Sequence, residues 1–289
     1  MPHRWILLSI AVLALAPVAR ADRAFPMPGI DRIAAADAIV VGRVIGMEPQ
    51  DVEVPASPGS KIKIKYRIAV VNVSEVVLGK KGTKTLRVGF VPVNEPKPNR
   101  RRYPSLAFKV DLGQNGLMFL RKHPTENIYM GRMNFDFVPY ADGKSPPMPV
   151  AYMGVGSYAD ELKQARRIAR MLADPLPALK SKDPADRFTA AAHLIARYRI
   201  MPAPGAKTTP VSAEETRLIM TTLLDHDWKS STRPINGWPC FHMLGLTDKD
   251  GWRMPAKIRD FNDLRDAARA WFRERGKDYR IQRFILSGE

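Results

Sequence analysis

Between residues 61 and 70 apolar and charged positions alternate strictly: Ile62, Ile64, Tyr66, Ile68 and Val70 fall on one parity, and Lys61, Lys63, Lys65 and Arg67 on the other. Alternation of this kind predicts a half-buried strand that carries its four cations in a row, about 7 Å apart, toward solvent. At Val70-Val71 the apolar parity slips by one and continues through Val73, which predicts a β-bulge at that point. The β-branched run 38–47 predicts a strand with a kink or bulge at Gly42, and 85–93 and 116–121 predict two more. Short strands are also predicted over 106–110 and 128–133. Turn signals separate them: 55–59, Gly79-Lys-Lys-Gly82, Gly113-Gln-Asn-Gly116 and Pro124-Thr-Glu-Asn127.

The period changes after residue 150. Gly, Ser and three Pro crowd 140–150, which predicts a linker over 141–156. Ser157, with Asp160 three residues on, predicts a helix cap, and Leu162, Ala165, Ile168 and Leu172 form the stripe that follows. Asp174-Pro175 ends that helix. Asp183-Pro184 opens another, with Phe188, Ala191, Leu194, Ile195 and Tyr198 on its apolar face. Ser212-Ala-Glu-Glu215 reads as a capping box, and 261–275 as a terminal helix stopped by Gly276. The fold class is therefore α+β in two domains, with strands over 30–140 and helices over 157–289.

Three short motifs narrow this reading: ADAIVVGRV near the start, VSEVVLGKKG after the long strand, and LGQNGLMFL before the turn at 124. Together they resemble the OB-fold domains related to netrin modules and tissue inhibitors of metalloproteinases, with Asp37, Gly42, Gly79, Gly116 and Phe119 at the positions that the exported bacterial versions repeat. The resemblance implies an OB-like β-barrel over 30–140. The animal inhibitors chelate a protease zinc through an N-terminal Cys, and this region has none, so metalloproteinase inhibition does not carry over. The stretch 179–199 resembles the second helix of a HEAT-type repeat, which implies an irregular HEAT-like helical bundle.

Residues 1–21 read as a cleavable secretory leader. Arg4 precedes a dozen-residue apolar run over 5–16, and Ala19-Arg20-Ala21 supplies a small-x-small cleavage site. The run falls short of the ~20 residues that span a bilayer as a helix. The expected address is periplasmic or extracellular, and no second apolar run suggests a transmembrane span in the mature chain. With Cys240 the only cysteine, no internal disulfide is possible and there is no lipid-anchor site at the cut. Stability must come from packing.

The formal net charge of +17 is unevenly spread. Within 61–102, Lys61, Lys63, Lys65, Arg67, Lys80, Lys81, Lys84, Arg87, Lys97, Arg100, Arg101 and Arg102 stand against Glu75 and Glu95. Such a field attracts anionic polymers or an acidic partner without specifying which. OB barrels bind on a strand face and its loops, so Lys61, Lys63, Lys65, Arg67, Arg100, Arg101 and Arg102 are the candidate ligand-binding residues.

Catalytic chemistry is hard to find. No phosphate loop, dinucleotide fingerprint or nucleophile elbow is present, and no cofactor is implied. Asp225, His226 and His242 are the best metal candidates, yet no His-x-x-x-His or Cys-x-x-Cys spacing fixes them. Cys240 beside His242 reads more simply as a core thiol. The sequence thus favours an exported binding protein without catalytic activity. A metal-assisted hydrolase in the helical half and an extracellular protease inhibitor are the alternatives.

Overall fold

The computed structural model describes residues 30–56, 58–92, 107–140, 157–201, 206–229 and 236–285; residues 1–21, read above as a leader, residues 141–156, read as a linker, and Arg100, Arg101 and Arg102 lie outside these. The architecture is α+β, with a mixed sheet in the first half and helices in the second. Seven strands make up the main sheet: β1 (Ala38–Met47), β2 (Val52–Pro55), β3 (Lys63–Leu78), β4 (Thr85–Phe90), β5 (Asn115–Lys122), β6 (Tyr129–Met130) and β7 (Phe137–Pro139). β1 pairs antiparallel with β3, β3 with β4, β4 parallel with β6, β6 with β5, and β5 again with β1. The pairings therefore return to their starting strand. β2 extends the start of β3 as a hairpin, and β7 adds to β5.

The first half of β1 and most of β5 are buried on both faces because two cores meet there. On one side Val40, Val44, Met118 and Leu120 join Ala69, Val71, Val88, Phe90 and Phe137. On the other side Ile39, Leu117 and Phe119 pack against Ala165 and Ile168 of helix α2 (Tyr158–Ala173). The first helix of the second half thus covers the outer face of the sheet. Helix α1 (Ile30–Ala34) contributes Ile33 to the same core.

The bulge expected at Val70-Val71 falls at that point of the β1–β3 pairing, but the extra residue is on β1. β3 and β4 pair without interruption there, Val70 opposite Arg87 and Val71 opposite Leu86. The extra residue opposite it is Ile45 of β1, and β3 carries its own extra residues later, at Ser74 and Val77. The apolar parity changes because β3 passes from one covered surface to another. Ile64, Tyr66 and Ile68 are progressively covered on one side, and from Ala69 onward the other side enters the core. Gly42 lies beside the Ser74 bulge, where a Cβ would stand 2.7 Å from Val71 and 2.8 Å from the Asn72 carbonyl, so the close strand approach requires glycine. The strand expected over 106–110 is not formed at 107–110, although Phe108 and Val110 fill the core.

The helical half adds α3 (Pro175–Leu179), α4 (Pro184–Arg199), α5 (Ala213–Asp225), α6 (Gly237–His242) and α7 (Phe261–Arg275), with a small ladder of β8 (Thr208–Pro210) and β9 (Gln282–Phe284). The caps fall where the sequence puts them. Ser157 accepts from the Asp160 amide, Asp183 from Ala185 and Ser212 from Glu215. Helix α4 is buried well beyond its expected stripe: Ala190, Ala191, Ala192, Leu194, Ile195 and Ala196 are each at most 1% exposed. Its run of small side chains lets neighbours approach from several directions. Trp228, Phe241, Trp252 and Trp271 form an aromatic cluster, with Trp228 Nε1 donating to the Leu223 carbonyl at 2.8 Å and Trp271 Nε1 to Asp250 at 2.9 Å. These tryptophans anchor the core. Among the described residues no helix is long and apolar enough to cross a membrane.

Candidate functional site

The basic row exists as a row. Lys61, Lys63, Lys65 and Arg67 are all exposed, on the side of the β2–β3 hairpin opposite Ile64 and Tyr66. The hairpin closes where the Ala56 amide donates to the Ile62 carbonyl at 2.8 Å and Gly59 adopts φ +77. Lys61 therefore stands at the tip and Arg67 beside the sheet.

The sequence missed what faces these cations. In the β2–β3 register Glu53 lies opposite Lys65 and Val52 opposite Tyr66, which brings Asp51 beside Arg67. The Asp51 carboxylate lies 3.4 Å from Arg67 Nε and 3.6 Å from Lys65 Nζ, with its side chain 18% exposed. Lys61 and Lys63 form no ion pair among the described residues. A signal for this was present. Val52 to Pro55 and Lys63 to Tyr66 are symmetric about the turn near Gly59, so each acid maps onto a cation across the hairpin.

The remaining cations of 61–102 divide similarly. Arg87 is held bidentately by Glu48 at 2.6 and 2.7 Å, and its hydrogen bonds hold the Glu48 carboxyl below the usual carboxylate range. Glu75 is taken by Arg166 of α2 at 2.8 and 2.5 Å, which lowers its carboxyl in the same way. Lys80 and Lys81 are exposed beyond the far end of β3, a strand of 16 residues from Lys63 to Leu78, while exposed Lys84 lies beside Val73, whose amide donates to the Lys84 carbonyl at 2.8 Å. At about 3.3 Å per residue β3 is on the order of 50 Å long. One continuous field in the sequence is thus spread along β3, from the hairpin tip at Lys61 past Arg87 and Lys84 to the turn after Leu78.

The three metal candidates are not brought together. Asp225 faces Arg269 at 3.7 Å, the His226 ring stacks on Phe188 at 3.5 Å between centroids, and exposed His242 lies against Trp238. Among the described residues no three His, Cys, Asp or Glu side chains are arranged to hold a metal. Cys240 is fully buried, and desolvation pushes its thiol up to about 12. Positions two apart on a helix do not face one another, so Cys240 and His242 of α6 are not a nucleophile–base pair.

A buried polar cluster lies at the junction of sheet and helices. Arg32 donates to Glu161 of α2 and to the Phe135 carbonyl, and its guanidinium lies 4.2 Å over the Phe119 ring. Asp136, 1% exposed, accepts from the Arg132 amide at 2.7 Å, while burial raises its carboxyl above the usual range. Arg197 of α4 donates to the carbonyls of Ala34 and Ala36. Arg32 and Arg197 each join one chain segment to another, whereas Asp136 closes its own turn through the Arg132 and Met133 amides.

No protein-family model matches this chain, and no curated protein matches it.

Proposed function

We propose that the protein is exported and acts by binding an extended polyanion along the exposed face of the β2–β3 hairpin. The carrying observation is the row Lys61, Lys63, Lys65 and Arg67, all exposed on one face, with its two outer lysines unpaired among the described residues. Cations at every second strand position present charge at a regular spacing, as an extended polymer with repeated anionic groups requires. Binding of this type is dominated by counterion release and depends steeply on salt.

An OB-like barrel followed by HEAT-like helices is the architecture we assign to it. The cyclic order β1-β3-β4-β6-β5, including one parallel pairing, supports the barrel reading. So do the motif residues: Asp37 accepts from the Lys122 amide at 2.9 Å, Gly116 has the Val138 carbonyl 2.4 Å from where a Cβ would stand, and Phe119 lies under Arg32. In that reading the hairpin is an elaborated strand-joining loop, a usual place for OB ligands. Export is supported by the leader-like pattern of residues 1–21.

Heparin and single-stranded DNA serve as probes. Lys61→Ala with Lys63→Ala is expected to weaken both by about tenfold at low salt and to reduce the slope of log K against log salt by one to two. Lys249→Ala in the helical half is the control and should change neither. A Lys61/Lys63 variant that binds like the parent protein rules out this face.

A further inference from the structure

We infer that Asp51 is an internal competitor for the ligand, holding two of the four cations of the hairpin face until a polyanion displaces it. The inference rests on the proposed reading of that face. Its geometry is specific: the two carboxylate oxygens are divided, Oδ1 toward Arg67 and Oδ2 toward Lys65. Asp51 is well covered at 18% exposure, whereas Lys65 and Arg67 are 61% and 51% exposed and present their outer sides to solvent. Met47, Glu48 and Pro49 line the same groove around the pair.

The distances matter. At 3.4 and 3.6 Å the contacts are looser than the 2.6 and 2.7 Å of Arg87 to Glu48. Loose, exposed ion pairs contribute little and exchange readily. Tethering nonetheless gives Asp51 a high local concentration, so a small free anion competes poorly for the pair. A polymer does better. Its first charges engage Lys61 and Lys63, which brings the following ones to Lys65 and Arg67 at comparable local concentration. Among the described residues the resting face thus offers two unpaired cations, and four only to a ligand long enough to reach them all. That selects extended polyanions over single phosphate or sulfate ions.

Heparin binding by the full chain, read at several salt concentrations, tests this with Asp51→Asn and with Lys65→Gln/Arg67→Gln. Asp51→Asn is expected to tighten binding three- to tenfold at low salt and to steepen the salt slope by about one. Lys65→Gln/Arg67→Gln is expected to lose less affinity than Lys61→Ala/Lys63→Ala, since its cations are already partly neutralised. Unchanged or weaker binding by a folded Asp51→Asn variant overturns the inference. If that variant does not fold, a larger loss from Lys65→Gln/Arg67→Gln than from Lys61→Ala/Lys63→Ala overturns it instead. Failure of the underlying reading looks different: the parent protein would not bind heparin, or would bind it independently of Lys61 and Lys63.

Discussion

Arg32 of α1 and Glu161 of α2, 129 positions apart in the chain, form an ion pair whose side chains are only 6% and 7% exposed. The pair ties the segment just ahead of the first strand to the helix that covers the sheet. Arg32 is also fixed by the Phe135 carbonyl at 2.7 Å and by the Phe119 ring beneath it. Burial draws the Arg32 guanidinium below its ordinary value, opposed by the neighbouring carboxylates of Glu161 and Asp136.

Removing one partner leaves the other charge buried and uncompensated. Glu161→Ala should therefore cost about 3–5 kcal/mol, read as a fall in the urea midpoint. Arg32→Met with Glu161→Leu should cost clearly less than the sum of the two single changes, because no orphan charge remains. A Glu161→Ala variant within about 0.5 kcal/mol of the parent protein would show that the pair is dispensable.

His193 of α4 makes stability depend on acid. It is 1% exposed, and desolvation lowers its pKa from 6.5 to about 4, despite its hydrogen bond with the Thr189 carbonyl at 2.8 Å. Above pH 6.5 the imidazole is neutral in both folded and unfolded chains and has no effect. Between pH 6.5 and about 4 only the unfolded chain takes up the proton, so stability falls as pH falls, by about 3 kcal/mol in all. Asp136, whose carboxyl is raised by burial, works in the opposite direction, so the comparison must be between proteins. His193→Leu should flatten the stability–pH curve by that amount over this window. An unchanged curve would contradict the assignment.

Cys240 should be chemically silent in the folded protein. A thiol pushed up to about 12 and fully buried carries almost no thiolate at pH 8, whereas an exposed one of ordinary pKa near 8.5 carries a substantial fraction. Labelling by a disulfide reagent should therefore be slow in buffer and fast in denaturant, with the native rate set by opening of the core. Rapid stoichiometric labelling of native protein would refute this burial.

The helix starts were legible because a cap is a local device. Ser157, Asp183 and Ser212 need only the amides two or three residues ahead, and all three accept from them. Strand β2 was not legible. Its four residues, Val52 to Pro55, end in a proline and carry no long alternation, and they become a strand only by pairing with β3. Reading the basic face suffered from the same gap. The charge count over 61–102 excluded Glu48, Asp51 and Glu53, the acids that the hairpin and sheet bring to Arg87, Arg67 and Lys65. The metal candidates illustrate the converse. Asp225, His226 and His242 are close in sequence or composition, but the surfaces they meet are Arg269, Phe188 and Trp238.

By itself, the sequence determined the change from a strand-rich first half to a helix-rich second half, the position of the caps and the existence of a row of four cations, because each depends on residues within a turn or a strand of one another. Tertiary structure alone decided which strand carries the extra residue beside Val70, and that Arg32 meets Glu161. Those outcomes depend on pairing register and on which faces become covered. Such choices are made when distant segments exclude water together, and no local pattern encodes them.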